Sequence, residues 1–241
     1  MKKIPFSAIF CSVLLLSQSV VVSSCGKDDD ESKNNQGNGS QKIEAPENGM
    51  LNNHEYVDLG LPSKIKWATC NIGADTPADY GVTFSWGQTA LDDSDKDKYS
   101  KWAYWDADAL CALGIIDSVK DKSDTTFHTV GHLMPENDAA SVNWGENWRM
   151  PTVDEFKELE ESCLWVWTTK DNKDGKHVDG YNVVGPNGNT LFLPAPMASS
   201  GVYWSSSAYD AYACRFCISI SERGRFAFMR SIKYAIRPVT E

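Results

Sequence analysis

Residues 201–239 read GVYWSSSAYDAYACRFCISISERGRFAFMRSIKYAIRPV. Two blocks bracket the stretch, Tyr203-Trp204-Ser205-Ser206-Ser207 at its start and Ile236-Arg237-Pro238-Val239 at its end. Between them Phe216, Ile218 and Ile220 share one face of a period-two pattern, and Ile232, Tyr234 and Ile236 share one face of another, which predicts two half-buried strands. Glu222-Arg223-Gly224 supplies a turn. The positions from Ala208 to Arg215, and the outward ones through Arg230, have no core assignment. The stretch therefore reads as a fixed frame around a binding face built from Tyr209, Asp210, Tyr212, Arg215, Arg225, Phe226 and Phe228. Tyr and Arg suit that role because they give large contact area and adaptable hydrogen bonding at modest entropic cost.

Upstream, β character continues with one secure helix. Thr152-Val153-Asp154-Glu155 is a capping box, and Phe156, Leu159 and Cys163 form a buried stripe behind it, which predicts a helix over 152–163. Asn137-Asp138-Ala139-Ala140 starts a shorter helix running to Asn143. Strands are predicted at 164–168, 180–184 and 190–193, the last two joined through Gly185-Pro186-Asn187-Gly188-Asn189, whose Asn-Gly supplies the positive φ of a tight turn. Near the start of the domain, 55–60 and 64–69 form a hairpin, and 84–87 continues the β pattern. Residues 88–136 are polar, with a charged loop at 92–98 and a short helix at 107–119. A connection of that length is either functional or an excursion. Aromatics and chain breakers together, 9 Trp, 9 Tyr and 9 Phe beside 17 Gly and 10 Pro, suit a loop-rich β or α+β fold better than a helical bundle, in one domain over 54–241.

The N-terminus sets the compartment. Lys2-Lys3 precede an interrupted apolar run that ends in Val22-Ser23-Ser24-Cys25, which reads as a signal peptide over 1–24 and not as a permanent span. Cys25 stands where the acylated cysteine of a bacterial lipoprotein would be. Residues 25–53 are polar and rich in Gly, Asn and Ser, a disordered tether whose flexible coil spans roughly 30 Å. Two lysines and no acids leave with residues 1–24, which moves the net charge from −10 to −12. An acidic chain has no electrostatic footprint for nucleic acid. Five cysteines remain after Cys11 and Cys25, so at least one thiol stays unpaired within the chain.

Blocks in order across the mature domain resemble a known family. Glu55-Tyr56-Val57-Asp58-Leu59-Gly60-Leu61-Pro62-Ser63, Lys66-Trp67-Ala68-Thr69-Cys70-Asn71, Phe84-Ser85-Trp86-Gly87, Asn143-Trp144-Gly145, Trp148-Arg149-Met150-Pro151-Thr152, Tyr203 to Ser207 and Arg237-Pro238-Val239 are similar to the Fibrobacter succinogenes major paralogous domain. That domain occurs in Bacteroidota lipoproteins and is similar to the C-terminal domain of the Legionella collagen-like adhesin. The resemblance implies a C-type-lectin-like fold, two short helices packed on an irregular antiparallel β-sheet, with an adhesin-like role. It implies an outer-membrane, surface-exposed location, to which the acidic run Asp28-Asp29-Asp30-Glu31 adds a match to the surface-export signal of such lipoproteins. The expected partner is a protein or glycan ligand on another cell, a phage or host material, with the membrane reached through the lipid. The 201–239 stretch also resembles the variable segment of diversity-generating retroelement proteins, since every residue from Ser205 to Cys217 lies in the set their diversified codons reach.

No catalytic residue, metal set or cofactor is predicted. Cys214-x-x-Cys217 sits in a strand pattern, where residues three apart point to opposite faces, so the pair makes neither a disulfide nor a shared metal site without a bulge. An alternative function, a formylglycine-generating-type oxidase using Cys214 and Cys217, shares the implied fold, but the Arg-Gly-Gly-Ser-Trp block of those enzymes is absent. A third reading is a structural component of a surface assembly. Cys70 and Cys163 fit either a disulfide or two buried thiols. His128-x-x-x-His132 has zinc spacing on a helix, but its neighbours are β-branched and no Glu follows the first His, so it reads as loop. Pro135-Glu136-Asn137-Asp138 has the composition of a calcium-lectin motif in the wrong order and reads as a helix cap. Trp144, Trp148, Trp165, Trp167 and Trp204 read as core, and Arg149 as the partner that fixes the helix entry.

Overall fold

A computed structural model describes residues 48–118 and 129–241. The signal segment, Cys25, most of the tether, the acidic run and His128 lie outside the described residues. In chain order the strands are β1 (Gly49–Leu51), β2 (His54–Asp58), β3 (Lys66–Ala68), β4 (Gly131–His132), β5 (Leu164–Asp171), β6 (His177–Val184), β7 (Thr190–Pro194), β8 (Ser200–Tyr209), β9 (Tyr212–Ser219), β10 (Arg223–Phe228) and β11 (Val239–Thr240). The α-helices are α1 (Lys96–Tyr99), α2 (Ala107–Ala112), α3 (Ala139–Trp144) and α4 (Val153–Ser162). Antiparallel sheets run β1-β2-β3-β11, β10-β9-β8-β4 and β5-β6-β7. Few short helices beside several antiparallel sheets make an α+β fold. Among the described residues no helix is long and apolar enough to cross a membrane.

β8 divides the core. Successive strand residues point to opposite faces, and Tyr203 and Trp204 use this to anchor two separate clusters. Tyr203 packs with Trp67, Phe156 and Phe216, and its hydroxyl donates to the Pro194 carbonyl at 2.6 Å. Trp204 packs with Trp86, Trp148 and Ile236, and its indole N–H donates to the Phe84 carbonyl at 2.9 Å. Each ring thus meets its polar obligation inside the core.

The helix that seats this sheet follows its capping signal. Thr152 Oγ1 accepts from the Glu155 amide at 3.2 Å, and Glu155 accepts from the Thr152 amide at 2.8 Å. Arg149 adds a two-pronged ion pair, Nη1 to Glu155 Oε2 at 2.8 Å and Nη2 to Oε1 at 2.6 Å, so the expected anchor of the helix entry is present. Val153, Phe156 and Leu159 are buried. Asp138 caps α3 by accepting from Ala140 and Ser141, and its other oxygen accepts from the Met150 amide at 2.8 Å.

Arg237 closes the frame from within. It is fully buried, with Nε donating to Asn71 Oδ1 at 2.7 Å and Nη1 to the carbonyls of Ala68 and Thr69. β11 pairs Val239 with Trp67, and Arg149 and Val239 exchange backbone hydrogen bonds. The end of the chain is therefore woven into its first hairpin.

Several expectations need correction. The tether ends before residue 53, because Gly49–Leu51 pairs with His54–Asp58 through a turn in which Asn52 and Asn53 adopt φ of 48° and 63°. Residues 88–118, expected to be polar and either functional or an excursion, belong to the core, since Tyr99, Trp102, Leu110, Ile115 and Ile116 join the cluster with Trp204. The closing strand predicted through Ile232 is reduced to two bridges, Tyr234 with Phe84 and Ala235 with Tyr203, and to β11, which leaves Ile232 exposed, as is Ile220. Arg223 begins β10 and is not a turn residue. Cys70 and Cys163 are both free. The Thr69 hydroxyl lies 3.8 Å from the Cys70 sulfur, while Cys163 packs against the cluster around Trp67. Burial raises both thiols, Cys163 to about 11.

Candidate ligand-binding face

β8 and β9 form a hairpin whose tip is Tyr209-Asp210-Ala211-Tyr212. Tyr209 opposes Tyr212, and Asp210 makes the turn at a φ of 48°, a conformation Asp tolerates better than most side chains. Between the pairs Trp204–Arg215 and Ala208–Ala213 the register shifts, so β8 bulges at Ser205, Ser206 and Ser207. Bulges re-aim a strand and free its backbone groups, and the serines absorb the consequence. Ser205 Oγ donates to the Cys214 carbonyl at 2.8 Å, the Ser206 amide donates to the Pro151 carbonyl at 2.8 Å, and Ser207 Oγ accepts from the Val153 amide at 2.9 Å. The serine run ties the hairpin to the start of α4. His132, the described half of the His pair, lies on β4 with Nδ1 at 3.2 Å from Ser207 Oγ.

Arg230 fixes the tip from below. Its guanidinium donates to the carbonyls of Asp210 and Tyr212, and to those of Trp102 and Trp105 in the preceding loop, the Trp105 bond being 2.6 Å. It is buried with its charge 5.0 Å from the Trp86 ring, and burial lowers its pKa to about 10. One cation thus ties the hairpin tip to the backbone of the loop at Trp102 and Trp105. This position was expected among outward ones, and the structure corrects it to a buried clamp.

Cross-strand register sorts the remaining candidates by face. Arg215 opposes Phe226, and Ala213 opposes Phe228, so Arg215, Phe226 and Phe228 lie together on one face of the sheet. The Arg215 guanidinium carbon sits 3.9 Å from the Phe228 ring and 5.0 Å from the Tyr234 ring, and Nη1 donates to the Tyr234 hydroxyl. Phe226 is 41% exposed and Tyr212 45%. Arg225 is different. It opposes Phe216, on the face turned toward the cluster around Trp67 and Phe156, and pairs with Glu160 of α4 at 3.4 Å. The Arg215 face meets the cluster around Trp204, against which Phe228 packs. The structure therefore does not bring Arg225 to the face that carries Arg215 and Phe226.

Cys214 and Cys217 behave as the strand pattern predicts. β9 runs without interruption against β10, with Cys214 opposite Ala227 and Cys217 opposite Gly224. Cys214 is buried and Cys217 half-buried. Burial raises both thiols, Cys214 to about 12, while Arg215 opposes the rise at Cys217. Among the described residues no group of three or more His, Cys, Asp or Glu is placed to hold a metal ion.

Sequence reasoning missed the floor of this face. Val202 opposes Cys217 across β8 and β9, and with Ser200, Arg215, Glu222 and Phe226 these residues line a concavity of about 260 Å³. The alternation that set Phe216 and Ile218 inward already placed Arg215 and Cys217 outward together. Val202 and Ser200 carried no such signal. Comparison with protein-family models, with curated protein sequences and with solved structures finds no match to this chain.

Proposed function

We propose that this chain is a lipid-anchored binding protein of the outer membrane, displayed at the cell surface, with a C-type-lectin-like domain whose ligand face is formed by the exposed side chains of β9 and β10 together with the β8–β9 hairpin tip. The observation that carries the reading is the exposure of Tyr212, on a hairpin tip whose backbone Arg230 clamps, and of Phe226 on the adjoining strand β10. Large exposed apolar side chains on a fixed frame mark interaction sites, and a face ordered before the ligand arrives avoids the entropy cost of ordering it on binding. Tyr209, Asp210, Tyr212, Arg215 and Phe226 form the contact set, while Phe228, packed against the cluster around Trp204, holds Arg215 in place and Arg225 serves the frame. A diversified segment fits this face only at its outward positions, because Ser205 to Ala208, Ala213 and Cys214 are buried and substitution there strikes the core.

Two measurements test this reading. Labelled palmitate incorporated into the chain in a bacterial host should be lost in Cys25→Ser, and retention there removes the anchor from the account. Fluorescently labelled full chain, offered to panels of bacterial and host cells in flow cytometry, should bind a subset of them. The folded double variant Tyr212→Ala/Phe226→Ala should lose that binding. Equal binding by parent and variant, or none to any cell, refutes the face.

A further inference from the structure

The concavity between Val202, Arg215 and Phe226 has the features of a charged subsite. Its volume, about 260 Å³, lies below the roughly 300 Å³ at which pockets for drug-sized ligands begin, so it accepts one small residue-sized group. Arg215 enters it already oriented, held by Phe228, Tyr234 and the Tyr234 hydroxyl. Among the described residues no carboxylate lies within ion-pairing distance of Arg215, whereas Arg149 and Arg225 each have one; Arg230 and Arg237, also without one, donate to backbone carbonyls, and Arg223, likewise without one, lies over the Trp165 ring. In a chain of net charge −10, a fixed guanidinium left without a counterion beside a concavity is a site prepared for an anion. Planar guanidinium matches carboxylate in particular.

We propose that this concavity is a subsite for a carboxylate-bearing sugar residue of a glycan, such as a uronic or sialic acid, with Arg215 as the carboxylate anchor; the proposal rests on the binding reading above. The lining supplies the other contacts that a sugar needs. The exposed Phe226 ring offers an apolar surface for a C–H face, and Ser200 and the Glu222 carboxylate on the rim offer partners for hydroxyls. A run of acidic side chains such as triglutamate brings no hydroxyls to these groups, and its second carboxylate would meet the charge of Glu222.

The test uses isothermal titration of the full chain with trigalacturonate, sialyllactose, the methyl esters of both and triglutamate. An acidic saccharide should bind, its ester should not, and the affinity should fall as salt rises. Arg215→Gln should weaken binding about tenfold or more, the loss expected for one charge-assisted pair. Cys217→Met, which fills the floor and leaves Arg215 in place, should weaken it as well. Binding of the ester as tight as the acid, an unchanged Arg215→Gln, or no binding of either acid sugar overturns the subsite. Preference for triglutamate overturns its assignment to sugar. Should cells still be bound through the tip and released by Tyr212→Ala while no acid sugar competes, the binding face stands and the subsite alone falls.

Discussion

Four of the five arginines from residue 215 onward take three roles, each set by neighbours that a single sequence does not reveal. Arg237 and Arg230 are buried and spend their donors on backbone carbonyls. Arg225 pairs with Glu160, and Arg215 faces the concavity. Alternation separated Arg225 from Arg215 only if β10 began at Arg223, and the Glu222-Arg223-Gly224 turn signal hid that start. Arg230→Met should leave several buried carbonyls without donors, at about 1–3 kcal/mol for each group left unsatisfied. Urea unfolding should show a loss of at least about 2 kcal/mol; a smaller loss contradicts the clamp. Asp138 gives a pH signature. Burial pushes it up to about 6 from 3.8, against the amides of Met150, Ser141 and Ala140 and the charge of Arg149. Between those values the folded chain keeps a proton that the unfolded chain releases, so the contribution is complete below 3.8 and is lost as pH rises through about 6. The melting temperature of the parent should fall from pH 4 to pH 6.5 relative to that of Asp138→Asn; parallel curves would refute the shift.

At the scale of elements, local chemistry was legible where it was self-contained. The box that begins α4 depends on Thr152 and Glu155 alone, and it formed as read. Thr152→Ala should cost about 1 kcal/mol in denaturant unfolding; no change would mean that Arg149 alone holds the helix start. Asn187-Gly188 likewise turned β6 into β7, with Gly188 at a φ of 87°. Elements that depend on distant partners were not legible. β1 exists because Asn52 turns it back onto β2 and donates to the Trp144 carbonyl at 2.8 Å, and nothing within 26–53 announces that partner. Gly185 shows the same dependence, since a Cβ there would run into the Leu59 carbonyl oxygen. Gly185→Ala should destabilise by about 1–3 kcal/mol, and a neutral result in thermal unfolding would contradict that close approach.

For the molecule as a whole, composition pointed to a loop-rich β or α+β domain, and the capped helix at 152–163 made it α+β. The frame blocks at Tyr203 to Ser207 and at Arg237 to Val239 lie in its centre, while the extent of the core was underestimated. Residues 88–118 looked polar because their apolar side chains are scattered among charged ones, yet they complete the cluster around Trp86 and Trp204 and bring Trp105 to the hairpin tip through Arg230. Stability and binding should therefore separate by position within one segment. The direct measurement is a substitution library over residues 200–236 of the full chain, sorted once for folded display and once for binding to the cells that the parent recognises. Substitutions at Ser205, Ser206, Ser207, Phe216 and Arg230 should lose folded display, whereas those at Tyr209, Asp210, Tyr212, Arg215 and Phe226 should keep it and lose binding. A library in which the second group binds as the parent does, or falls with folding, would contradict the account.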